Sequence, residues 1–159
     1  MDEALQPSAQ KVQSALAAAG VPARIVELSV AARTSQQAAD ALGIAVGQIA
    51  KSLVFRGAQS GRAVLVIAAG DRRVDEAKIA AQLGEPIERA RPEFVREHSG
   101  FAIGGVAPLG HAQPMVTFID SSLRRFSEVW AAGGTPHTVF PIAPVDLLWV
   151  AGGTELDVA

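Results

Sequence analysis

Apolar positions near the start of the chain recur at helical spacing. Val12, Leu16 and Ala19 share one face across residues 8–19, and Gly20 with Pro22 predicts where that helix stops. Residues 23–28 then read as a strand. Thr34-Ser35-Gln36-Gln37 has the form of a capping box, with Thr34 placed to accept the Gln37 amide, and Gly43 predicts the end of the helix it opens. Two β-rich runs follow, 51–56 and 63–68, and the loop Gly57-Ala58-Gln59-Ser60-Gly61-Arg62 between them predicts a hairpin. Helices are expected over 74–83, closed by Gly84 and Pro86, and from Pro92 through His98. Residues 114–119 read as a strand, and Asp120-Ser121-Ser122 as a helix cap or turn. Residues 127–132 and 137–142 form a second hairpin around Gly133-Gly134, and Pro144 starts a last short helix.

One stretch breaks the pattern. Gly100-Phe101-Ala102-Ile103-Gly104-Gly105-Val106-Ala107-Pro108-Leu109-Gly110-His111 places four glycines and a proline inside an apolar run that otherwise reads as strand. Either it is a bulged, corner-turning strand, or the missing Cβ atoms let backbone NH groups approach a ligand or oxyanion. Helices and strands mix without βαβ spacing. The expected fold is therefore α/β of the α+β type, a mixed sheet or partly closed β-barrel flanked by helices, with residues 1–159 as one domain.

Composition narrows the function classes. Hydrophobic residues make up 49% of the chain but fall in short runs, none near the roughly 18 residues of a membrane span. There is no cysteine, which removes thiol catalysis, thiolate metal ligands and disulfides. The acidic start Met1-Asp2-Glu3-Ala4 has neither a signal nor a transit pattern, so a cytoplasmic location is expected. A net charge of −2 argues against broad nucleic-acid binding, and no DNA or membrane partner is expected. A local basic patch can still form from Arg72, Arg73, Arg89, Arg91, Arg96, Arg124 and Arg125.

Common catalytic signatures are missing. The glycine run lacks dinucleotide-binding spacing, no glycine precedes Lys-Ser or Lys-Thr, and there is no G-x-S-x-G elbow. His98, His111 and His137 are scattered without H-E-x-x-H, so neither a metal nor a cofactor is expected. Lys51 stands at the head of a strand between apolar residues. It either snorkels from the sheet edge to water or supplies a point charge to a phosphate or a polarised carbonyl. Asp120 and Asp146 read as helix caps or as site residues, and His137 as a solvent-facing strand residue or a site residue.

Several segments together resemble the YbaK/EbsC family of trans-editing aminoacyl-tRNA deacylases, which is related to the editing domain of bacterial prolyl-tRNA synthetase. They are Thr34 through Gly43, Gly47-Gln48-Ile49, Lys51 through Phe55, Gly70-Asp71-Arg72-Arg73-Val74-Asp75, the glycine run, Ile119-Asp120 and Trp130 through His137. The resemblance covers the chain from about residue 10. It implies hydrolysis of the ester joining a wrongly attached small amino acid, such as Ala, Ser, Thr or Cys, to the 3′-terminal adenosine of tRNA. It also implies Lys51 as the essential lysine and Gly104, Gly105 and Pro108 as parts of a Gly-x-x-x-Pro loop. Around them it places Thr34, Gly110, Asp120, His137 and Asp146, with Phe101, Ile103 and Val106 either shaping an amino-acid pocket or filling core. The implied partners are the tRNA acceptor end and an aminoacyl-tRNA synthetase. The residues alone leave open a non-catalytic module that binds aminoacyl-adenosine or a synthetase.

Overall fold

Helix α1 (Pro7–Ala18) starts on its proline and buries Ala9, Val12 and Leu16, the face its periodicity predicts. A computed structural model describes residues 5–159, so the acidic Met1-Asp2-Glu3-Ala4 start lies outside the described residues. The strand expected at 23–28 shrinks to β1 (Val26–Glu27), because Gln13 takes the hydrogen bonds before it. Its Oε1 accepts the Ile25 amide at 2.9 Å and its Nε2 donates to the Ala23 carbonyl at 3.0 Å. Helix α2 (Ser35–Leu42) has the predicted capping box at Thr34, and Gly43 ends it in the left-handed region at φ 69°.

Strands β2 (Ile49–Gly57) and β3 (Ala63–Ala69) form the expected hairpin, with Lys51 opposite Ala68. Helix α3 (Glu76–Leu83) begins after its Asp75 cap, two residues later than periodicity suggests. Strand β4 (Ile87–Arg89), too short to show alternation in sequence, leads to α4 (Pro92–Ser99). Residues 100–115 contain no strand. This corrects the strand reading of the glycine run, since Gly100, Gly104 and Gly110 take φ of 82°, 90° and 77°, which no pleated strand accommodates.

The rest comprises β5 (Val116–Asp120), a 3₁₀ turn (Ser121–Arg125), the hairpin of β6 (Val129–Ala132) and β7 (Thr138–Ile142), α5 (Pro144–Ala151) and β8 (Thr154–Leu156). The mixed sheet runs β1-β7-β6-β2-β3-β5-β8, with β4 also pairing β2. It is open, so of the two expected architectures the flanked mixed sheet is the one observed. Two apolar clusters cover its faces. Ala50, Leu65 and Ile67 pack with α1, α4 and the glycine segment on one side, and Phe55, Val64 and Val66 pack with Ile79 of α3 on the other.

Candidate functional site

The sheet forks at β2. One edge of that strand pairs with β3 throughout, whereas the other meets β6 only at Ile49 and Ala50 and β4 only from Phe55 to Gly57. Residues Lys51 to Val54 therefore lie along an open edge and are partly exposed, although every residue of neighbouring β3 is buried. A cavity of about 790 Å³ occupies the fork. Since Leu53 and Phe55 belong to one apolar cluster and Ala50 and Val54 to the other, pleat alternation puts Lys51 on the α3 face and Ser52 on the face of the glycine segment. Both line the one cavity.

Lys51 forms no ion pair among the described residues. Burial pushes its ammonium below the usual lysine range, and the Asp120 and Asp71 charges offset part of that shift. Arg33, Arg73 and Arg89 are exposed cations that also line the cavity, with Glu76 as its single carboxylate among the described residues. The balance favours an anionic guest. Arg72, Arg124 and Arg125 of the expected basic patch are instead engaged by Asp120 and Asp157, by Glu155 and by Asp71.

The glycine segment forms the opposite wall through Ile103, Gly104 and Val106. Gly104 turns at positive φ, and the Gly105 amide donates to the Ala102 carbonyl at 3.0 Å. Behind the wall, His111 Nε2 donates to the Ala107 carbonyl at 2.7 Å. Burial lowers the His111 pKa, which keeps the ring neutral and suits it to bracing the loop.

The remaining candidates are spread through the fold. Thr34 lines the cavity while capping α2. Phe101 lies outside it as buried core, 1% exposed, with the Lys11 ammonium 4.5 Å over its ring. Pro108 and Gly105 are buried behind the wall, and Gly110 packs against α1 at Lys11 and Ala15. Asp120 is fully buried and does not reach the cavity. Its Oδ2 accepts the Ala69 amide at 3.1 Å and its Oδ1 caps the 3₁₀ turn at Ser122, because a carboxylate in that position has no water to use. His137 is exposed on the β6–β7 turn and Asp146 sits in the first turn of α5, both away from the cavity lining. Sequence reading missed Arg33, Trp130 and Ser52 as lining residues. Only Ser52, polar inside an apolar strand, left a local signal.

A family model described as an aminoacyl-tRNA editing domain matches residues 29–149. The chain is 35% identical over 123 residues to the uncharacterized protein YwhH of Bacillus subtilis (strain 168), spanning 77% of this chain and 78% of that protein. It is 26% identical over 121 residues to EbsC of Enterococcus faecalis (strain ATCC 700802 / V583), a candidate Cys-tRNA(Pro)/Cys-tRNA(Cys) deacylase. That match covers 76% of this chain and 73% of the relative. Among solved structures, a candidate trans-editing enzyme for prolyl tRNA synthetase superimposes with a TM-score of 0.91 at 46% identity, covering 98% of each chain.

Proposed function

The chain belongs to the aminoacyl-tRNA editing domain family, and from that premise we propose that it is a trans-editing hydrolase that deacylates mischarged aminoacyl-tRNA. The observation that carries this reading is the cavity at the fork of the sheet. Its walls combine an unpaired lysine, a glycine turn and a rim of arginines.

The reaction adds water to the ester carbonyl carbon and breaks the bond from that carbon to the ribose oxygen. The ribose oxygen leaves with a proton, giving free amino acid and tRNA. Two kinds of assistance match the residues. Lys51 anchors the terminal phosphate or polarises the carbonyl, and main-chain NH groups facing the cavity stabilise the oxyanion as it develops. Gly105, Pro108 and His111 act from behind, holding the Gly104 turn in place.

Glu76 is exposed on the first turn of α3, and among the described residues no Ser-His pair lines the cavity. Water orientation is therefore assigned to the adenosine 2′-hydroxyl, and positioning supplies much of the rate. Ile103, Val106 and Val54 form an apolar wall suited to small side chains such as those of alanine, serine, threonine or cysteine. Arg33, Arg73 and Arg89 face the acceptor-end phosphates.

A panel of tRNAs mischarged with these amino acids tests the reading. Release by the wild-type protein, lost in Lys51→Ala, supports it. Saturable binding with no release from any member assigns the cavity to a non-catalytic binding module instead.

A further inference from the structure

The open edge of β2 carries main-chain groups whose direction the ladder fixes. In an antiparallel pair, alternate residues turn their N–H and C=O toward the partner strand and the others turn theirs away. The Gly70 amide donates to the Ile49 carbonyl and the Gly57 amide to the Arg62 carbonyl, so the odd-numbered residues of β2 face β3. On the other side, the Ala58 amide donates to the Pro86 carbonyl, which puts the even-numbered residues toward β4 and β6. Ala50 meets β6 and Arg56 meets β4. Two even-numbered residues lie between them, and the N–H and C=O of both Val54 and Ser52 point into the gap, with Ser52 the nearer to β6. The Ser52 Oγ is also buried with no hydrogen-bond partner.

A main-chain donor and acceptor side by side, in a cleft walled by Val54, Ile103 and Val106, suit a guest that carries the complementary pair and displaces water from them. Two facing residues of a hydrogen-bonded antiparallel pair exchange two such bonds, because each carries its nitrogen and carbonyl on one Cα. An α-aminoacyl ester has the same arrangement. We infer that the aminoacyl end of the substrate docks as a one-residue strand in the gap between β6 and β4, its α-ammonium donating to the Ser52 carbonyl and its ester carbonyl accepting the Ser52 N–H. This rests on the deacylase reading and adds to it how the amino acid is held.

Three features of the site agree with this pose. The pleat sends the side chain of a residue opposite Ser52 to the Ser52 face, where Val54 and Val106 provide an apolar wall. Lys51 and its charge stay on the other face. A neutral carbonyl also holds the ammonium without a carboxylate, in a cavity whose cations would otherwise repel it. Stereochemistry follows from the same pleat, since an L-residue aims its side chain at the apolar wall and a D-residue aims it away.

The test uses wild-type protein labelled with ¹⁵N and 3′-(L-alanylamino)-3′-deoxyadenosine, whose amide link resists hydrolysis. The Ser52 amide resonance is expected to move on titration and its hydrogen exchange to slow. Affinity is expected to fall by about 10-fold or more for the propionyl analogue, which lacks the amine, as for loss of a charge-assisted hydrogen bond, and by about 4-fold for the D-alanyl analogue, whose methyl leaves the apolar wall. A Ser52 resonance unmoved at saturation, equal affinities for the three analogues, or no binding at all would overturn the inference. Failure of the deacylase reading looks different: the analogue binds at Ser52, yet no mischarged tRNA is hydrolysed.

Discussion

A Cβ on Gly105 would lie 2.9 Å from the Cα of Thr135, so the glycine wall of the cavity touches the β6–β7 turn backbone to backbone. That turn is itself rigid. Thr135 donates its amide to Thr138 Oγ1 at 3.1 Å, and the two hydroxyl oxygens lie 2.8 Å apart, both buried. Gly105→Ala therefore has nowhere to put its methyl, and the wall must move. The expected cost is about 1–3 kcal/mol of stability, the usual range for overpacking. Thermal melting reads that cost, and kcat/KM for ester hydrolysis should fall as well. An unchanged kcat/KM would show that the wall's position does not matter to the reaction.

Lys51 carries the opposite signature. Burial holds its folded-state pKa below the unfolded value, so the charged form is disfavoured by folding. The penalty is fully present below the folded pKa and fades as pH rises from that value toward the unfolded lysine value. Lys51→Met should thus melt no lower than wild type at neutral pH and show its largest relative gain there, with the gap closing in alkali, while hydrolysis is lost. The alkaline limb of the wild-type rate profile is expected below the pKa of free lysine. A variant that melts lower and keeps its activity would remove Lys51 from the mechanism.

The helix caps and both hairpins were legible because their signals are local. Thr34 with Gln37 needs four residues to be read, and the β2–β3 register follows from two apolar runs and a turn. What was hidden depends on contacts distant in sequence. The strand at 23–28 is cut short by Gln13, and Asp120 is committed to Ala69 across the sheet. The fork that creates the cavity arises because β4, which ends at Arg89, and β6, which begins 40 positions later at Val129, share one edge of β2 without meeting. No run of residues encodes that gap. Lys51 could be singled out from sequence, but the edge beside it could not.

Glu85 gives a structural pH dependence separate from the site. Its carboxylate is held to about 2, chiefly by the Ser60 amide and hydroxyl, then by the Gln59 amide and Arg62. Oε1 accepts both amides at 2.9 Å and so ties down the β2–β3 turn. Because the folded pKa is depressed, this stabilisation is complete above the unfolded glutamate value of about 4.3 and is lost as pH falls toward 2. Glu85→Gln is expected to melt lower than wild type at neutral pH, and the two curves should converge near pH 2. A gap independent of pH would mean that the carboxylate's charge contributes nothing to the turn.

The charges around the cavity predict how tRNA binding responds to salt. Arg56, Arg62, Arg72, Lys78, Arg124 and Arg125 are spent on carboxylates. Arg33, Arg73 and Arg89 line the cavity and form no ion pair among the described residues. A cation already neutralised by a carboxylate gains little from a phosphate, whereas a free one releases a counterion from the nucleic acid. Contact confined to a single-stranded acceptor end then gives a shallow dependence of affinity on salt, built from a few contacts of about 0.7 each in the logarithmic slope. Arg73→Ala should weaken binding and reduce that slope by about 0.7, while Arg124→Ala, whose partner is Glu155, should leave both unchanged. A steeper wild-type slope, equivalent to roughly six or more phosphates, would place much of the tRNA body on the protein and move the interface beyond the cavity rim.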